Sequence, residues 1–280
     1  MAISKISGTA WADISKVDGV NAANIAALSG INAPAPTTGI VTDNLFLHYD
    51  AEFVSGSSVL DQSGNGYNMT MYNGAYVGTY QGVTAFHTDG VNDLIYGQIP
   101  QADMASIDYP ITMEAWHYYN AGSGMFSAFV INHAADTVDW LRNVLISTGA
   151  RAFGQVYTWS GQRYTQVDKT NAFATSGWKH ITLTIERTPS GGRHNLRIYV
   201  NGAFALENSV PQVTQYDDPA YTIVPWSEGS GVINASIGCL VRSTPSYYYA
   251  RTSEARFYAD KLTDAEILQN YNAKKTKHGI

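Results

Sequence analysis

The sequence predicts an all-β protein, a two-sheet antiparallel sandwich, on three observations. Residues 177–202, GWKHITLTIERTPSGGRHNLRIYVNG, place Ile181, Leu183 and Ile185 between His180, Thr182, Thr184 and Glu186, the period of a strand with one buried face. Short runs of this kind recur along the chain, separated by Gly and Asn turns. Almost no helical period occurs before the C-terminal end.

Taken in order, the chain begins with an internal repeat. Ile3-Ser4-Lys5-Ile6-Ser7-Gly8, Ile14-Ser15-Lys16-Val17-Asp18-Gly19 and Ile25-Ala26-Ala27-Leu28-Ser29-Gly30 are three copies of one apolar–Gly unit spaced by 11 residues. A Gly in every unit costs about 1 kcal/mol each in a helix interior, so short turns of helix or strand closed by each Gly are expected. Two apolar residues per unit make no core of their own, so the unit needs a partner or copies of itself. INAPAPTTGIV follows as an extended linker, which divides the chain into an arm, residues 1–39, and a sandwich, residues 40–280.

Within the sandwich, Leu45, Leu47 and Tyr49 alternate with Phe46, His48 and Asp50 as a first strand. Val59 to Asp61 and Thr84 to His87 are short strands, ending at the turns Gly64-Asn65-Gly66 and Asp89-Gly90-Val91-Asn92-Asp93. Ile111 to Trp116, Met125 to Asn132, Asn143 to Ser147 and Ala152 to Trp159 continue the meander. After the turn at Thr188 to Gly192, Leu196, Ile198 and Val200 form a strand that stops at Asn201-Gly202, a dipeptide suited to positive φ. The polar residues between the apolar ones are expected to face water. Residues 207–231 read as a long polar and aromatic loop, of the kind that often carries function. Strands at Ile233 to Leu240 and Glu254 to Tyr258 lead to the one helix. Thr263 and Glu266 form its capping box, and Ile267, Leu268 and Tyr271 its apolar face.

W-K-H-I-T-L-T followed by L-R-I-Y-V-N-G resembles the central hairpin of the laminin-G-like, concanavalin A-like jelly rolls. Leu45 to Asp50 with DQSGNG and DGVND, ITMEAW, and ARFY leading to LTDAEI occur in that family's order, over roughly residues 41 to 275. The resemblance implies a jelly-roll sandwich with one short C-terminal helix, and little about chemistry. Combined with the arm, it is similar to structural proteins of tailed bacteriophages, in which such domains are joined to short repeat arms.

Composition excludes several function classes. A formal net charge of -6 and scattered basic residues disfavour nucleic acid. No apolar run is long enough to span a membrane, and the N-terminus lacks the apolar core of a secretory signal. The single Cys239 lies in an apolar run and reads as a small core residue. The paired E-x-D-x-x-E of sugar-cleaving jelly rolls is missing, and Glu52, Glu114, Glu186, Glu207, Glu228, Glu254 and Glu266 read as solvated single residues. No G-x-S-x-G occurs, so no enzymatic activity is expected.

Asp61, Asp89 and Asp93, with Asn65 and Asn92, offer oxygens of the kind calcium takes, but Asx-turns need the same residues without an ion, and no cofactor is expected. What the lectin resemblance suggests is glycan binding on aromatic platforms, for which Trp159, Tyr221 and Trp226 are the candidates. Tyr247 to Tyr249 read instead as sheet packing. The resulting expectation is a non-catalytic virion display protein, a capsid decoration or fibre component assembled in host cytoplasm. Its arm, through Ile3, Ile6, Ile14, Val17, Ile25 and Leu28, would dock on other virion proteins or on copies of itself. The competing classes are a sugar-binding lectin or adhesin outside a virion and a degenerate glycan hydrolase.

Overall fold

The computed structural model describes residues 5–6, 9–10, 16–17, 20–21, 39–107, 109–120, 125–133, 142–148, 151–158, 163–187, 194–208, 231–241 and 245–280. In the arm, β1 (Lys5–Ile6) pairs with β2 (Thr9–Ala10), and β3 (Lys16–Val17) with β4 (Val20–Asn21), both antiparallel. The first two units of the repeat therefore form strand pairs, with Gly8 and Gly19 falling between the paired segments in sequence; the third, residues 25–30, lies outside the described residues.

The body contains β5 (Leu45–Ser55), β6 (Ser58–Asp61), β7 (Met69–Tyr72), β8 (Tyr76–Tyr80), β9 (Val83–Asp89) and β10 (Leu94–Pro100), then the short helix α1 (Gln101–Met104). There follow β11 (Ile111–Tyr119), β12 (Met125–His133), β13 (Arg142–Thr148), β14 (Arg151–Thr158), β15 (Arg163–Lys169) and β16 (Gly177–Arg187). The chain ends with β17 (His194–Val200), β18 (Ala203–Asn208), β19 (Val232–Ile237), β20 (Cys239–Leu240), β21 (Ser246–Tyr247), β22 (Tyr249–Tyr258) and α2 (Asp264–Lys274).

Two antiparallel layers result. One runs β15-β14-β13-β12-β19-β10-β7-β6, the other β5-β22-β11-β16-β17-β18, with β9 also on β22 and β8 on β9. β5 joins them: its first half pairs with β22 through Leu45 to Asp50, and its end pairs with β6 at Val54 and Ser55. Between the layers lie Leu47, Tyr49, Phe129, Ile131, Met113, Leu183, Ile198, Ile237 and Phe257, all fully buried. The layers meet closely where β14 crosses β16, since a Cβ at Gly154 would come within 2.4 Å of Leu183. The predicted tight turn closes β17 and β18, with Asn201 at φ 51° and Gly202 at φ 75°. The predicted strand Ile233 to Leu240 breaks at Gly238, φ 70°, into β19 and β20.

The expectation of a water-facing side fails for the second layer. His180, Thr182, Thr184, Glu114 and Glu254 are at most 1 % exposed, so neither glutamate is a solvated single residue. α2 and the C-terminal tail lie over this face and exclude water from it. The helix presents Ile267, Asn270, Tyr271 and Lys274, while Leu268, expected on its apolar face, is 44 % exposed. Its N-terminus carries the expected capping box between Thr263 and Glu266.

Under the helix the polar rows of adjacent strands neutralise one another. Asp50 and Glu254 stand directly opposite on β5 and β22, a destabilising like-charge pair on its own. Lys274 bridges them, with Nζ 3.3 Å from a carboxylate oxygen of each, and Lys277 Nζ is 3.2 Å from Asp50 Oδ1. Arg256 forms ion pairs with Glu114 and with Glu254, the latter at 2.5 Å. Asn270 Nδ2 donates to Glu114 Oε1 at 2.9 Å, and its Oδ1 accepts from Val41 N at 2.7 Å, fastening helix and chain entry to the same charge. Burial alone would raise the Glu114 carboxyl, but the Arg256 charge and His180 outweigh it and hold it at about 2.

The tail adds an aromatic seal. The His278 ring stacks on Trp116 with centroids 3.8 Å apart and planes within 5°. Its Nδ1–H donates to the Lys274 carbonyl at 2.8 Å, leaving Nε2 to accept from the Ser253 hydroxyl at 2.6 Å. Burial lowers the His278 imidazole to about 4, so it is neutral at pH 7.

Two stability predictions follow from this layer. Arg256→Met strands two buried carboxylates and is expected to cost about 3–5 kcal/mol in urea denaturation; a loss below about 1 kcal/mol would contradict the account. His278 and Glu114 both bind protons less readily folded than unfolded, so their stabilisation is complete above the unfolded values and lost as pH falls. The His278 window runs from 6.5 to about 4 and the Glu114 window from 4.5 to about 2. His278→Phe, which keeps a ring on Trp116, should flatten the decline in melting temperature between pH 7 and 4. An unchanged slope would show that His278 carries none of it.

Candidate functional site

The residues expected to bind glycan, Trp159, Tyr221 and Trp226, lie outside the described residues, as do Ile3, Ile14, Ile25 and Leu28 of the arm. Ile6 and Val17 sit in β1 and β3, opposite Thr9 and Val20.

The calcium candidates are engaged as turn residues. Asp61 Oδ1 accepts from the backbone N–H groups of His48 and Ser63, each at 3.0 Å, and Oδ2 from the Ser63 hydroxyl and Tyr67 N–H. Asp89 Oδ1 accepts from Val91 N at 2.8 Å, and Asp93 Oδ2 from Asp89 N at 3.0 Å. Among the described residues, the group with ligand atoms close enough to share an ion is a different one, His48, Asp50 and Glu254. The ammonium groups of Lys274 and Lys277 and the Arg256 guanidinium already supply its positive charge. Cys239 is buried, its thiol pushed up to about 11 by desolvation, which makes it a poor nucleophile or metal ligand.

A more open arrangement occupies the other end of the same sheet face. Residues directly opposite on adjacent strands share a face, and the register sets Tyr76 of β8 beside His87 of β9, and His87 beside Arg251 of β22. Alternation adds Gly78 and Tyr80 on β8 and Tyr249 on β22. Tyr118 of β11 completes the set, edge-on to Tyr80 with centroids 4.8 Å apart. The Tyr76 ring stacks on His87 at 4.5 Å, a position open to it because Gly78 has no Cβ, which would lie 2.9 Å from that ring.

The result is a platform of four tyrosines around one cation. Tyr76 is 52 % exposed, while Tyr80, Tyr118, Tyr249 and Arg251 are half-buried. No hydrogen bond within the described residues engages the hydroxyls of Tyr76, Tyr80 or Tyr118. Burial and the Arg251 charge lower the His87 imidazole to about 4, so at neutral pH the cation here is Arg251 alone. Tyr118 meets the buried Trp178 edge-on at 5.5 Å, which ties the platform to the sealed half of the face. Such a surface offers apolar ring faces, free hydroxyls and a fixed guanidinium, and suits a ligand with both apolar and polar sides.

Sequence reading missed this platform because its parts were spread over β8, β9, β11 and β22. β8, Tyr-Val-Gly-Thr-Tyr, has weak alternation, and Tyr249 reads as sheet packing when Arg251 is not known to lie over it. A signal was present in the spacing of Tyr76, Gly78 and Tyr80 at every second residue.

Comparison with known proteins bears on the fold. The family model described as the concanavalin A-like lectin/glucanases superfamily matches residues 95–268. The binding domain of botulinum neurotoxin DC, solved in complex with rat synaptotagmin II, is similar at 11% identity and a TM-score of 0.56, over 83% of this chain and 52% of that one. A botulinum neurotoxin type C structure, titled for the dependence of cell entry on two ganglioside molecules, gives 10% identity and 0.57 with the same coverage. The receptor-binding domain of botulinum neurotoxin type G gives 14% and 0.51, again covering 83% and 52%. The chain thus corresponds to about half the length of these structures. No curated protein sequence matches it. The family match takes in most of the layer strands and reaches into α2, and the chain belongs to the concanavalin A-like lectin/glucanases superfamily.

Proposed function

We propose that the protein is a non-catalytic glycan-binding sandwich, displayed on a virion through its repetitive arm. The observation that carries the glycan reading is the uncovered platform, where Tyr76, Tyr80, Tyr118 and Tyr249 surround Arg251 on a rigid sheet face. Pyranose rings present an apolar C–H face and a hydroxyl rim, and tyrosine ring faces, with the hydroxyls of Tyr76, Tyr80 and Tyr118 unengaged among the described residues, complement both. The likeness in fold to a neurotoxin whose cell entry depends on two ganglioside molecules accords with this reading.

The buried glutamates support a binding role over a hydrolytic one. A glycosidase needs one carboxyl held protonated as an acid, with its value raised. Glu114 and Glu254 are instead both lowered, share Arg256 and lie beneath α2. Neither can deliver a proton to a bound sugar.

For the arm, the support is that two units of the repeat form the same two-stranded pairing, 11 residues apart. Equivalent units present equivalent apolar residues, each worth about 1.5–3 kcal/mol if fully buried, so several docked together offset the cost of ordering the arm. Other virion proteins or copies of this chain are the partners such an arm suits.

A glycan array probed with the full chain is expected to yield a bound subset. Tyr80→Ala and Tyr118→Ala should each weaken binding roughly three- to tenfold, the scale of one stacking contact, with melting curves lowered by the lost ring packing but still cooperative, so that the comparison is between folded proteins. Binding unaffected by either change would move the site elsewhere. For the arm, changing Ile14, Val17, Ile25 and Leu28 together to Ser should abolish self-association, or incorporation into particles, with the sandwich melting as before. Normal assembly of that variant would make the repeat a spacer.

A further inference from the structure

We infer that the platform selects an anionic sugar, one bearing a carboxylate or sulfate, and that Arg251 is the residue that reads the charge. This rests on the glycan-binding reading of the same site. Arg151 pairs with Asp168, Arg197 with Glu207, and Arg256 with Glu114 and Glu254, whereas Arg251 pairs with no carboxylate among the described residues. In a chain of net charge -6, a half-buried cation without a counter-ion among the described residues is suited to an anion from outside.

The guanidinium is held ready for one. Its Nη1 donates to the carbonyls of Ala250 at 2.8 Å and Thr88 at 3.1 Å, and its carbon lies 4.1 Å from the Tyr249 ring centroid and 5.5 Å from that of Tyr80. Two hydrogen bonds and two aromatic faces therefore fix its plane before any ligand arrives, which reduces the entropy lost on binding. Nη2 makes no hydrogen bond within the described residues, and Nε is buried without a partner there. The Nη2 end, neither buried nor hydrogen-bonded among the described residues, is the donor left for an anion, and a charge-assisted hydrogen bond there is of the strong class.

The neighbouring titratable groups do not compete for this role. Asp93, which feels the Arg251 charge, lies beyond ion-pair distance and accepts from Asp89 N, and Asp89 itself closes the following turn. His87 stays neutral above about pH 5, so the ligand meets a single fixed positive charge. The tyrosine rings on either side supply the sugar-stacking surface, and Arg251 supplies the discrimination.

The test is an array carrying neutral, sialylated, glucuronate-bearing and sulfated glycans, followed by titration of the best acidic member and its neutral counterpart. The full chain is expected to favour an acidic member at least tenfold, with affinity falling as salt rises. The sialylated and glucuronate members against the sulfated ones decide which anion is read. Arg251→Gln should bring acidic binding down to the neutral level. Arg251→Lys, which keeps the charge and loses the fork, should retain only part of the preference, and melting curves of both variants report their folding. Neutral and acidic glycans bound alike, or acidic binding unchanged in folded Arg251→Gln, would overturn the inference and leave the glycan reading standing. Failure of every glycan to bind would overturn both.

Discussion

Arg256 is the residue on which the second layer depends. It lies fully buried between two buried carboxylates, on strands whose partners place Asp50 beside Glu254 and Glu114 beside Arg256 itself. Exposed to water, such a set would be worth little; desolvated without α2, it would be untenable. The helix makes it viable by adding Lys274, Lys277 and Asn270 at once, and the tail closes it with His278 on Trp116. Helix docking and charge pairing are thus one event, because each lacks its partner without the other.

Much of the sandwich was legible from alternation alone. Ile181, Leu183 and Ile185 marked the core face of β16, Asn201-Gly202 the turn between β17 and β18, and Thr263 with Glu266 the start of α2. β10 was not legible, because Gly97 stands where its apolar period needs a side chain, and a Cβ there would come within 2.4 Å of the Asn68 carbonyl. β18 and β8 lie at sheet edges, where one side of the strand has no neighbour to impose a pattern. The outer face misled for a different reason. Polar alternation reports which side of a strand avoids the core, and says nothing about whether a later segment returns to cover it. Lys274, Lys277 and His278 give no sequence signal of their partners, since Asp50, Glu254 and Trp116 come beneath them only through the fold.

One face therefore has two fates. Over β5, β11 and β16 it is roofed by the C-terminal segment, and its charged and aromatic residues hold that roof. Over β8, β9 and the start of β22 it is open, and residues of the same chemical kinds, tyrosines and an arginine, pack against one another with Tyr76 half exposed and no roof of chain above them among the described residues. Trp116, His278, Trp178, Tyr118 and Tyr80 run as an unbroken chain of ring contacts from one half to the other, so the open half stands on a rigid base. A binding surface on such a base needs little ordering when a ligand arrives.

Hydrogen exchange of the full chain with and without a saturating glycan tests this division most directly. The account predicts that amides of 264–274 and of β11 and β22 exchange among the slowest in the chain and do not change with ligand, while amides of 76–89 and 249–251 slow on binding. Fast exchange throughout α2, or ligand protection confined to β12 to β15 in the other layer, would contradict it.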